Sequence, residues 1–90
     1  MGQYGATIQF TRSFLDAYNK LPQLIKRKLD RQLQILTQNI NHPSLRARKM
    51  TGMGNIWEAR VDIHYRITFD RIDGIIRLRL VGNHDIYLNP

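Results

Sequence analysis

Hydrophobic and polar positions divide the chain into segments with two different periods. Residues 5–10 alternate, with Ala6, Ile8 and Phe10 on one face and Thr7 and Gln9 on the other. That is the period of a short half-buried strand. Thr11 then stands where a helix N-cap is wanted, its hydroxyl free to accept from an amide one turn on. Phe14, Tyr18 and Leu21 recur at helical spacing and predict a first helix over 12–20. Pro22 suits the first position of a second helix, where its missing N–H matters least. Ile25, Leu29, Leu33, Leu36 and Ile40 form the apolar stripe of that helix, which runs to about Asn39. Lys26, Arg27, Asp30, Arg31 and Gln34 fall on its wet side.

Asn41-His42-Pro43-Ser44 ends the helical pattern. The stretch from Leu45 to Gly54 is irregular and basic, with room for a partial strand near Arg46–Met50. Residues 56–61, 64–70 and 75–81 alternate again and are rich in β-branched and aromatic side chains, and Asp73-Gly74 marks a hairpin turn between the last two. Short links between sequential strands give an antiparallel meander. The expected fold is therefore α+β, in the order β-α-α-β-β-β. It is an antiparallel sheet with an N-terminal helix hairpin on one face, forming one domain over residues 1–90.

A strand's side chains alternate between its two faces. Trp57, Ala59 and Val61, then Tyr65, Ile67 and Phe69, then Ile76, Leu78 and Leu80 form the sets expected to face the helices, with Trp57 anchoring the core. The opposite face is expected to carry Arg60, Arg66, Arg77, Arg79 and His64, with Glu58 and Val81 among them. Composition sharpens this picture. The chain has 14 Lys+Arg against 7 Asp+Glu, a net charge of +7, which suits a polyanionic partner. Guanidinium forks match phosphate oxygens and stay charged, so four arginines on one face point to phosphate recognition. The other reading is that these arginines cover the sheet with their stems and pair with Glu58, Asp62 or Asp70 across strands.

Several chemistries find no support. There is no cysteine, hence no disulfide and no thiolate metal site, which suits a reducing cytoplasm. His42, His64 and His84 lack metal-ligand spacing. Gly52-Met53-Gly54 is too short for a phosphate loop and opens no helix. No apolar run approaches the ~20 residues that cross a bilayer, so no membrane partner is expected. His84, at the end of the last strand, could move a proton near neutral pH, or could simply bond a carbonyl in a turn. Tyr87 could donate a proton or stack on a base.

Five stretches, taken in order, carry a family likeness: His42-Pro43-Ser44-Leu45, Lys49-Met50-Thr51-Gly52, Ile56-Trp57-Glu58-Ala59-Arg60-Val61, Tyr65-Arg66-Ile67-Thr68-Phe69, and Val81-Gly82-Asn83-His84-Asp85-Ile86-Tyr87. Together they resemble the signature of RelE/ParE toxins over nearly the whole chain. The resemblance implies the fold expected above and, in the RelE branch, a ribosome-dependent endonuclease that cuts mRNA in the A site without metal or small-molecule cofactor. The ribose 2′-hydroxyl attacks the adjacent phosphate. Such a reaction needs a base, charge stabilisation on the phosphate and an acid for the leaving oxygen. By the same resemblance Arg66 is assigned to the phosphate and His84 to acid/base work, with Tyr87 as a further candidate. Glu58 could be a base, as a glutamate is in some relatives, or could pair with a neighbouring arginine. Arg60, Arg77, Arg79, His64, Lys49, Arg46 and Arg48 are the expected RNA contacts. The likeness also implies a cognate acidic antitoxin as partner. It leaves open two other activities on the same scaffold, a ParE-like DNA gyrase inhibitor and a non-toxic antitoxin-binding relative.

Overall fold

The computed structural model describes residues 7–83. His84 and Tyr87 lie outside the described residues. Strand β1 (Thr7–Phe10) leads into helix α1 (Arg12–Asn19) and helix α2 (Gln23–Gln38). A short 3-10 turn (Pro43–Leu45) precedes β2 (Arg48–Lys49), and β3 (Ile56–Arg60), β4 (Arg66–Ile72) and β5 (Ile75–Gly82) complete the sheet. The strand order is β1-β5-β4-β3-β2. The β3–β4–β5 meander is antiparallel as expected, and β2 joins it antiparallel to β3. β1 instead lies parallel to β5, so the sheet as a whole is mixed. The next strand after the helix hairpin, β2, runs opposite to β1 at the far edge of the sheet.

Local chemistry accounts for these boundaries. The Thr11 hydroxyl oxygen accepts from the Phe14 amide at 3.1 Å, capping α1. Pro22 occupies the cap position of α2, one residue earlier than expected. Asp73 and Gly74 both have positive φ, 49° and 78°, the geometry of a type I′ hairpin turn. The core lies between the helices and one sheet face, and contains Phe14, Leu29, Leu36, Leu45, Ile67, Phe69 and Leu78. Burying such side chains is the main favourable term for a domain this small. Trp57 is only half-buried. It stands opposite Lys49 of the edge strand, stacked on Phe69 at 6.2 Å and beneath the Arg71 guanidinium at 5.1 Å.

One expectation fails in β5. Phe69 pairs with Leu78 but Thr68 pairs with Leu80, so Arg79 is an extra residue. This bulge reverses the alternation beyond it. Val81 joins the core at 4% exposure, while Leu80 moves to the face assigned to polar residues. The Thr11 hydroxyl donates to the carbonyls of Leu78 (2.8 Å) and Arg79 (3.2 Å), tying the start of α1 to the bulge.

Candidate functional site

The sheet face opposite the helices holds two carboxylates among arginines, and both carboxylates are buried. Asp70 is 7% exposed and Glu58 4%. Asp70 lies opposite Arg77 in the β4–β5 ladder. One of its oxygens, Oδ2, accepts from Arg77 Nη2 at 2.8 Å, Arg77 Nε at 3.3 Å and Arg79 Nη1 at 3.2 Å. Asp70 holds the Arg77 guanidinium above its usual pKa by hydrogen bonding and by charge. Arg77 and Arg79, both expected to contact RNA, are thus drawn into a structural cluster at this end of the face.

At the other end, Arg46, Arg48, Glu58, Arg60 and Arg66 line an open cleft of about 270 Å³. Four separate pieces of chain bring them together. Arg46 caps the 3-10 turn in the left-handed region, with φ 45°. Arg48 lies directly across from Glu58 in the β2–β3 ladder, and its Nη2 reaches Glu58 Oε2 at 3.4 Å. This is the arginine pairing that the sequence left open for Glu58. Arg60 and Arg66 are register partners on β3 and β4. Arg66 Nη1 donates to the carbonyls of Asp62 (2.6 Å) and Tyr65 (3.0 Å), which fixes the guanidinium at the strand entrance.

The turn at 61–65 is built on Asp62. Its Oδ1 accepts from the amides of His64 (2.9 Å) and Tyr65 (2.8 Å), and its Oδ2 from Lys28 Nζ of α2 (3.2 Å). Burial raises the Asp62 pKa, but the two amide bonds and Lys28 outweigh it and bring the carboxyl below its ordinary value. His64 belongs to this exposed turn and not to β4, which begins at Arg66. The amide bonds to Asp62 favour a turn over an extended strand start. His64 and Lys49 do not line the cleft. Lys49 pairs opposite Trp57, one residue out of phase with Arg48. β5 ends beside the cleft, since Gly82 is the register partner of Arg66.

Two supports were not anticipated. His42 Nδ1 accepts from the Ser44 amide at 3.2 Å and lies 2.9 Å from Ser44 Oγ, so this histidine caps the 3-10 turn that presents Arg46. Gln32, 8% exposed, sends its side-chain amide from α2 to the carbonyls of Arg60 (2.9 Å) and Ser44 (3.2 Å). Its signal in the sequence is a polar residue at the i+7 position of the Ile25–Leu29–Leu36 stripe. Among the described residues no cluster of three His, Asp or Glu could hold a metal, and no helix is long and apolar enough to cross a membrane.

No family model matches the chain, and no curated protein matches it. Solved structures do. The toxin of the RelB–RelE complex from Methanococcus jannaschii superposes with a TM-score of 0.74 at 21% identity, over 90% of this chain and 98% of that one. The archaeal RelE of the RelE–RelB complex from Pyrococcus horikoshii gives 0.72 at 18% identity, over 88% and 94%. The YoeB dimer from Staphylococcus aureus gives 0.73 at 14% identity, over 88% and 97%. The fold defined by the helix hairpin and mixed sheet is therefore the RelE/ParE toxin fold, across the full described domain.

Proposed function

We propose that the protein is the toxin of a toxin–antitoxin pair and acts as a ribosome-dependent mRNA endonuclease. The observation that carries this reading is the cleft in which four arginines converge around one carboxylate. Guanidiniums gathered from separate segments, at a ratio no structural ion pair requires, suit a phosphodiester whose charge grows during attack. In this reading Arg66, held by two carbonyls, and Arg60 beside it engage the scissile phosphate. Arg46 and Arg48 hold flanking phosphates. The 2′-oxygen bonds to phosphorus as the P–O5′ bond breaks, leaving a 2′,3′-cyclic phosphate and a 5′-hydroxyl. A base takes the 2′ proton and an acid returns one to the 5′ oxygen. Glu58, already in the cleft, is the base candidate, and His84 the acid, with Tyr87 as a further donor. The partner is an acidic antitoxin; the neighbours from M. jannaschii and P. horikoshii were solved with RelB bound.

The test is a cell-free translation reaction with purified protein, with message ends mapped by primer extension. Cleavage within translated codons, absent with Arg66→Ala and His84→Ala, is the expected result. An intact message with normal translation excludes the nuclease. A second reading, a gyrase inhibitor on the same scaffold, draws on the pairing of Arg77 and Arg79 with Asp70, which offsets one of their two charges and lowers the charge available to RNA. It predicts DNA supercoiling inhibition that is indifferent to Arg66.

A further inference from the structure

We propose that Gln32 of α2 is a positioning residue that sets the width of the arginine cleft from the opposite side of the sheet, an inference that rests on the cleft being a phosphate site. β2 is only two residues long and pairs with Trp57 and Glu58 alone. The edge of β3 beyond Glu58 is therefore not covered by β2. The Arg60 carbonyl lies on that stretch, and a buried carbonyl without a donor is costly. Gln32 supplies the donor. Its Nε2 carries two hydrogens, and the two bonds run to the carbonyls of Arg60 and Ser44. These carbonyls belong to the two walls of the cleft. One is on a cleft residue itself; the other lies two residues before Arg46 and four before Arg48. Oε1 lies 3.5 Å from Ser44 Oγ, a further link to the same turn.

The consequence is geometric. The 3-10 turn and the end of β3 have no ladder between them, and Gln32 is a side-chain bracket that bonds both and sets their separation. That separation decides whether Arg46 and Arg48 can grip the same phosphodiester run as Arg60 and Arg66. A bidentate guanidinium site tolerates little misplacement, and a shift of about 1 Å can cost on the order of 100-fold. Gln32→Met keeps length and volume but removes both donors. Gln32→Glu replaces donors with acceptors facing two carbonyls and should splay the walls further.

The experiment titrates a short fluorescein-labelled single-stranded RNA into wild type, Gln32→Met, Arg66→Ala and Ile25→Ala. The last is a core truncation at the far end of the same helix. Affinity should fall roughly tenfold or more in Gln32→Met, and hold in Ile25→Ala even if that variant melts lower. Equal affinity for folded Gln32→Met and wild type, with Arg66→Ala impaired, overturns the role of Gln32 while leaving the cleft reading intact. Indifference of wild-type binding to Arg66→Ala overturns the cleft reading and the inference together. Should Gln32→Met not fold, the wild-type protein still decides. RNA should shift the Gln32 side-chain amide resonances and slow their hydrogen exchange; unchanged resonances at saturation overturn the proposal.

Discussion

The Asp70 and Glu58 ends of the open sheet face use the same ingredients to different effect. Each has one buried carboxylate among arginines, on adjacent strands of one ladder. At Asp70 there are two guanidiniums to one carboxylate, all bonding to a single oxygen. Around Glu58 four guanidiniums share the cleft with one carboxylate. The first arrangement uses its charges to hold β4 to β5. The second gathers four guanidiniums about one carboxylate on an open cleft, an arrangement suited to an outside anion. Arginine number alone does not separate structure from recognition; the local ratio and the number of chain segments that contribute do.

The sharpest way to break this contrast is to delete one arginine from each end. Arg66→Ala should lower message cleavage by about 100-fold or more, the scale of a lost charge-stabilising donor, whereas Arg77→Ala should leave cleavage within a few-fold. Equal losses would erase the distinction. Removing the carboxylates comes next. Asp70→Ala leaves two neighbouring arginines facing each other and should destabilise the fold by about 1–3 kcal/mol in urea unfolding, discounted because both arginines are partly exposed. Glu58→Ala should tighten RNA binding while lowering cleavage; a loss of both would make Glu58 purely structural.

Salt offers a finer measure. For a single strand each phosphate contact contributes about 0.7 to the slope of log affinity against log salt. Arg48→Ala and Arg60→Ala should each reduce the slope by about that amount, and Arg77→Ala should not. The smallest effect concerns the turn that seats Arg66. Asp62 has a depressed folded pKa, so its contribution is fully present above the unfolded value of about 3.9 and is lost as pH falls through the lower folded value. Asp62→Ala should remove this acid-dependent part of the unfolding curve and leave stability near neutral pH lower throughout. A variant with wild-type acid dependence would show that Asp62 is not the titrating group.

Much of the fold was legible because its signals are local. Thr11 marks a cap, Asp73-Gly74 a turn that needs positive φ, and Trp57–Val61 and Arg66–Phe69 alternate apolar with polar residues in sequence. The parallel placement of β1 is not legible, since its partner β5 lies 68 residues away in register and no local pattern carries the strand's direction. The bulge was hidden for a specific reason. Arg77-Leu78-Arg79-Leu80 reads as perfect alternation, and only the ladder with β4 reveals that Arg79 is the extra residue. For the site, the sequence points to Arg46, Arg48, Glu58, Arg60 and Arg66, but equally to Arg77, Arg79, His64 and Lys49. Which arginines meet depends on register and on Asp70, neither of which a list of basic residues contains. Gln32 reads in the sequence as one polar residue on a helix dominated by its apolar stripe.

The parallel pairing of β1 with β5 also governs timing. Thr7–Phe10 is made before its neighbour in the sheet, Ile75–Gly82, which follows some 68 residues later in register (Thr7 with Ile75). The same late strand supplies the carbonyls that anchor Thr11 at the head of α1. Pairings of such long separation form slowly, because the chain loses loop entropy before any contact rewards it. The sheet therefore cannot close while β5 is still unmade. Until β5 is in place, β1 lacks its only sheet neighbour among the described strands and α1 lacks the strand it packs against.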